Sequence, residues 1–86
     1  MTVVKRKERI RTLLRRRNIK ISSPALTLLE MEGFKRGYGP EKMVTFVDCF
    51  SKGVGKFASK RGQRVERLKI TARNFRAVMR EKPQSC

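Results

Sequence analysis

Apolar residues recur at intervals of three and four between Pro40 and Arg61, where Met43, Phe46, Val47, Phe50, Val54, Phe57 and Ala58 follow one another. At about 100° per residue these positions lie within roughly 60° of one meridian, with Thr45, Asp48, Lys52, Lys56 and Ser59 on the opposite side. The spacing predicts a long amphipathic helix. Pro40 suits its first position, Gly39 permits the turn into it, and Gly62 suits its end. Gly53 and Gly55 each cost about 1 kcal/mol relative to Ala in a helix interior, so they mark either a close helix crossing or a break. A strand over MVTFVDCF competes, since Val and Phe favour strands. The periodicity running on through Val54, Phe57 and Ala58 favours the helix.

Three shorter segments flank this one. Residues 4–18, VKRKERIRTLLRRRN, place Ile10, Leu13 and Leu14 on a narrow stripe surrounded by cations. Like charges at i, i+4 (Lys5/Arg9, Lys7/Arg11, Arg11/Arg15) each cost such a helix a few tenths of a kcal/mol. A docked helix and a disordered basic tail both remain open. Asn18 and IKI interrupt the pattern, and Ser22-Ser23-Pro24 reads as a cap followed by proline at the first helical position. A second helix is predicted from about Pro24 to Glu32, ended by Gly33, with Leu26, Leu28, Leu29 and Met31 apolar nearly all round and therefore expected between neighbours.

GFKRGYG, residues 33–39, reads as a loop. Its Tyr38 is placed either to stack on an unpaired base or, with Phe34, to cover the edge of the core. After the central helix, Val65, Leu68 and Ile70 anchor a basic connector. Thr71 then caps a last helix, ARNFRAVMRE, with Ile70 and Phe75 spaced as a hydrophobic staple and Asn74 where a capping box prefers Glu or Gln. Pro83 is the expected stop. The expected organisation is a basic helix or arm over 1–20, a helical core over 21–82 and a tail over 83–86.

Charge changes the picture from a small helical domain to one with a definite kind of partner. The 86 residues carry 23 Lys and Arg against seven acids, a net charge of +16. Residues 1–20 contribute +8, residues 21–50 contribute −1 and residues 51–86 contribute +9. Such a charge repels itself in the compact state unless a polyanion screens it, which points to nucleic acid ahead of anionic lipid. The candidate contacts are Lys5, Arg6, Lys7, Arg9, Arg11, Arg15, Arg16 and Arg17 in the first segment, Lys35 and Arg36 in the GFKRGYG loop, and Arg61, Arg64, Arg67, Lys69, Arg73 and Arg76 toward the C-terminus. At this length a partner chain or a homodimer is also expected.

Catalytic and metal chemistry find little to work with. There is no histidine, and the two cysteines, Cys49 and Cys86, do not make a zinc site. Cys49 reads as core filler and Cys86 as a frayed end, which suits a reducing compartment. GVGKFAS departs from the phosphate-loop pattern at Phe50 and Phe57. No enzyme and no cofactor is expected. No run of 18 apolar residues is present, so no membrane span is expected, and no secretory h-region opens the chain. An RNA-binding accessory protein, a cationic membrane-active protein and an interaction subunit of a larger complex stand as alternatives to a sequence-tolerant DNA binder.

The order short helix, loop, long helix, basic loop, short capped helix resembles the histone fold. RVERLKITARNF is similar to its second loop and last helix. The resemblance covers about residues 24–81, with residues 4–18 similar to an extra N-terminal helix. It implies an all-α domain paired in a handshake across the central helices, DNA being gripped by Lys35 and Arg36 of one loop with Arg61, Arg64, Arg67 and Lys69 of the other.

Overall fold

A computed structural model describes residues 3–81, with side chains from residue 7 onward. Lys5 and Arg6 as side chains, and Pro83 and the tail over 83–86, lie outside the described residues. Four helices dominate: α1 (Val3–Arg15), α2 (Ser23–Lys35), α3 (Pro40–Lys60) and α4 (Ala72–Arg80). Two short strands, β1 (Lys20–Ile21) and β2 (Lys69–Ile70), pair in parallel, and a single 3-10 turn spans Val65–Arg67. The expected all-α class is what the chain adopts.

The long helix runs unbroken through Gly53 and Gly55. Its apolar stripe lies in one core with Ile10 and Leu14 of α1, Leu26 and Leu29 of α2, and Phe75 and Val78 of α4. Phe50 and Phe75 meet with ring centroids 5.8 Å apart, joining α3 to α4. The basic first segment is docked, with Ile10 and Leu14 fully buried. Burying two such side chains contributes about 1.5–3 kcal/mol each, which outweighs like-charge repulsions of a few tenths. Arg17 also pairs with Asp48 of α3.

Three helices end the same way, which corrects one expected boundary. Asn18, Gly37 and Gly62 all have positive φ, and each begins a pair of bonds back into the helix. After α1 the amides of Asn18 and Ile19 donate to the carbonyls of Arg15 and Leu14; after α2 those of Gly37 and Tyr38 donate to Phe34 and Gly33; after α3 those of Gly62 and Gln63 donate to Ser59 and Ala58. This is the Schellman termination, whose left-handed residue is usually Gly. Gly33 therefore does not stop α2, which runs to Lys35 before Gly37 ends it. Gly33 is buried against α3, where an added Cβ would meet the thioether end of Met43, 2.7 Å from its Cε.

Two further expectations change. Cys49 is not a free core thiol but is disulfide-bonded, so it no longer argues for a reducing compartment; the sequence has one other cysteine, Cys86, outside the described residues. Leu28 and Met31 are not held between neighbours: the inward face of α2 carries Ala25, Leu26 and Leu29, while Leu28 and Met31 are exposed.

Candidate nucleic-acid interface

Two stretches of the chain build the same local structure and meet. Ile19-Lys20-Ile21-Ser22 leads into α2, and Leu68-Lys69-Ile70-Thr71 leads into α4. In both, the flanking apolar residues turn inward, Ile19, Leu68 and Ile70 being buried, and the lysine between them is exposed. This is strand alternation, and pairing puts the two copies in register: Lys20 opposite Lys69, Ile21 opposite Ile70. The Ser22 amide donates to the Ile70 carbonyl at 2.8 Å.

The residue after each strand caps a helix. The Ser22 hydroxyl accepts from the Ala25 amide at 3.3 Å. The Thr71 hydroxyl accepts from the Asn74 amide at 3.4 Å, while Asn74 Oδ1 accepts from the Thr71 amide at 2.7 Å. Asn74 thus closes the capping box that its shorter side chain left in question. Both helices leave the paired strands from the same end, and neither has an acidic residue in its first turn. Helix N-termini favour negative charge, and here the chain supplies none of its own.

Cations collect around this end. A concavity of about 470 Å³ is lined by Arg11 and Arg15 of α1, Lys20 of β1, Lys69 of β2 and the Ser22-Ser23-Pro24 start of α2, with no acid among its lining residues. Arg11 Nη2 donates to Ser23 Oγ at 3.5 Å, which ties α1 to the first residue of α2. Adjacent strands lie about 4.8 Å apart, so the stems of Lys20 and Lys69 start side by side. The strand pairing anchors the two stems side by side, so both ammonium groups can approach one bound phosphate.

The other expected contacts are distributed unevenly. Arg9, Arg16, Arg64, Arg67 and Arg73 are exposed, with no ion pair among the described residues. Lys7 lies beside Glu8, Arg11 and Ser23 in a smaller cleft along α1 and α2. Arg61 lies over the Phe57 ring, 4.4 Å from its centroid. Arg17 is committed to Asp48, which Lys52 also approaches at 3.9 Å. Arg36 pairs with Glu32 at 3.0 Å and lies over Phe46 at 4.9 Å. Burial works against its charge, yet hydrogen bonds to Tyr38 and Glu32 hold its pKa above the ordinary value.

Lys35 and Arg36 do not join Lys69 in this chain. They sit at the far end of α2, about 20 Å from the paired strands at 1.5 Å per residue. There they line a groove with Arg76 of α4. Tyr38 packs edge-on against Phe46, centroids 5.5 Å apart, and covers the core edge. Lys20 was absent from the expected contacts. The signal that finds it is the likeness of IKIS to LKIT, each set before a helix.

Among the described residues, no helix is long and apolar enough to cross a membrane, and no cluster of three or more His, Cys, Asp or Glu is placed to hold a metal. No protein-family model, curated protein or solved structure matches this chain.

Proposed function

We propose that this chain is a nucleic-acid-binding module that grips the phosphate backbone with little regard to sequence, duplex DNA before RNA. The observation that carries this reading is the basin at the paired strands. Arg11, Arg15, Lys20 and Lys69 converge there with the N-terminus of α2 and no lining acid. Phosphate contacts of this kind position a protein on nucleic acid without reading base identity. The grip does not need a second chain, since all four cations belong to one. Arg64, Arg67 and Arg73 flank β2 in sequence and extend the cationic surface around Lys69.

The single-stranded RNA reading relied on Tyr38 as a stacking platform, and that ring is engaged by Phe46. A regular duplex, which offers phosphates at fixed spacing to a surface set by strand pairing, suits the basin better.

The test is binding to length-matched duplex DNA, duplex RNA and single-stranded RNA across a salt series. Four neutralised phosphates predict a log–log slope of about −3.6 on duplex DNA, steeper if the flanking arginines engage. Tightest binding to single-stranded RNA would overturn the duplex reading. Weak binding to all three at low salt would overturn the function.

A further inference from the structure

The groove between α2 and α4 shares no lining residue with the basin and is built for a different ligand. Its floor holds Leu28, Met31 and Phe34 of α2, exposed by 37%, 57% and 46%. Met79 of α4 lines the same groove, which measures about 1310 Å³. A chain with so much charge has no reason to leave Leu28 and Met31 together on one face unless something covers them. The edges are cationic: Lys35 on one side, Arg76 and Arg80 on the other. The one acid in the lining, Glu32, is already paired with Arg36.

We infer that this groove docks an acidic amphipathic helix from another protein. Its apolar stripe would lie on Leu28, Met31 and Met79, with its flanking carboxylates meeting Arg76, Arg80 and Lys35. The lining runs from Leu28 to Arg36 on one side and from Ala72 to Arg80 on the other. Each side is about 12 Å long, the length of roughly two turns of helix, which calls for apolar anchors at i, i+3 or i+4, and i+7. A second copy of this chain is a poor occupant, because it would bring its own +16 against a cationic rim. A phosphate backbone would leave the apolar floor uncovered.

The inference does not depend on what the basin binds, and its test uses a separate probe. A labelled helical peptide of about sixteen residues, with Leu at those anchor spacings and Glu beside them, is titrated against the full chain by fluorescence anisotropy and amide chemical shifts. The expected result is saturable binding with shifts centred on Leu28, Met31, Ala72 and Met79. Leu28→Ser with Met31→Ser should weaken it about ten-fold or more at a temperature where thermal unfolding shows the variant to be folded. Lys20→Ala with Lys69→Ala should leave it unchanged. Equal affinity for a scrambled peptide of the same composition would reduce the effect to bulk attraction and overturn the inference. So would groove shifts produced by single-stranded RNA but not by the peptide, or a dimer in light scattering that buries the groove.

Discussion

Helices α2 and α4 are neighbours along their length, yet their two ends differ in kind. At the strand end their starts are tied by backbone: two register pairs, the Ser22 to Ile70 hydrogen bond and two side-chain caps. The cations there, Arg11, Arg15, Lys20 and Lys69, are turned outward with no acid beside them in the basin. Beyond the tie a groove opens between the helices, where exposed apolar side chains lie inside a rim of Lys35, Arg76 and Arg80. One of its lining cations, Arg36, is held by Glu32 and Tyr38. One end is rigid backbone presenting unspent charge; the other is side-chain surface presenting unspent apolar area. Net charge alone would assign both regions to nucleic acid, and only the placement of the acids and of the exposed Leu28 and Met31 separates them.

The sharpest break of this contrast comes from removing the core beneath the strands. Ile70→Ala empties a fully buried position next to Lys69 and should destabilise the fold by about 2–4 kcal/mol in urea unfolding. Met31→Ala, at the exposed end, should stay within about 0.5 kcal/mol. Charge reversal tests the same contrast in binding. Lys20→Glu with Lys69→Glu should cost at least about thirty-fold in duplex DNA affinity near physiological salt, each lost phosphate contact being worth about five-fold there. Arg76→Glu with Arg80→Glu should cost clearly less. Equal losses would mean that the whole cationic surface acts without a focus.

Smaller effects sharpen the account of the strand end. Thr71→Ala removes one half of a reciprocal cap and should cost about 1 kcal/mol; Ser22→Ala, a one-way cap, should cost less. The smallest effect lies on α3. Nothing lies within 4 Å of a Cβ added at Gly55, so Gly55→Ala should stabilise by about 0.5–1 kcal/mol. Gly33→Ala, whose Cβ meets the buried end of Met43, should forfeit that gain.

Periodicity carried most of the helical architecture. The apolar stripe from Met43 to Ala58 was strong enough to place α3 within a residue despite two internal glycines. Proline at the start of α2 and α3, and threonine before α4, set the beginnings. The end of α2 was misplaced because Gly33 and Gly37 are alike as letters. One fills a tight helix crossing, the other adopts a left-handed turn, and only tertiary contact separates the two roles. The candidate site was harder to see for a related reason. Arg11 and Arg15 were among the expected contacts, but their convergence with Lys20 and Lys69 depends on pairing segments 49 residues apart. A two-residue strand is too short to show alternation, so Lys20 looked like an interruption. The matched IKIS and LKIT were the available clue.

The measurement that tests the central claim most directly is the salt dependence of duplex DNA binding for the intact chain and for Lys20→Ala with Lys69→Ala, each first shown by thermal unfolding to be folded. If the paired-strand basin is the grip, losing two phosphate contacts should make the log–log slope shallower by about 1.8. An unchanged slope and affinity in the folded double variant would contradict it, and would move the grip away from the strands to cations elsewhere on the surface.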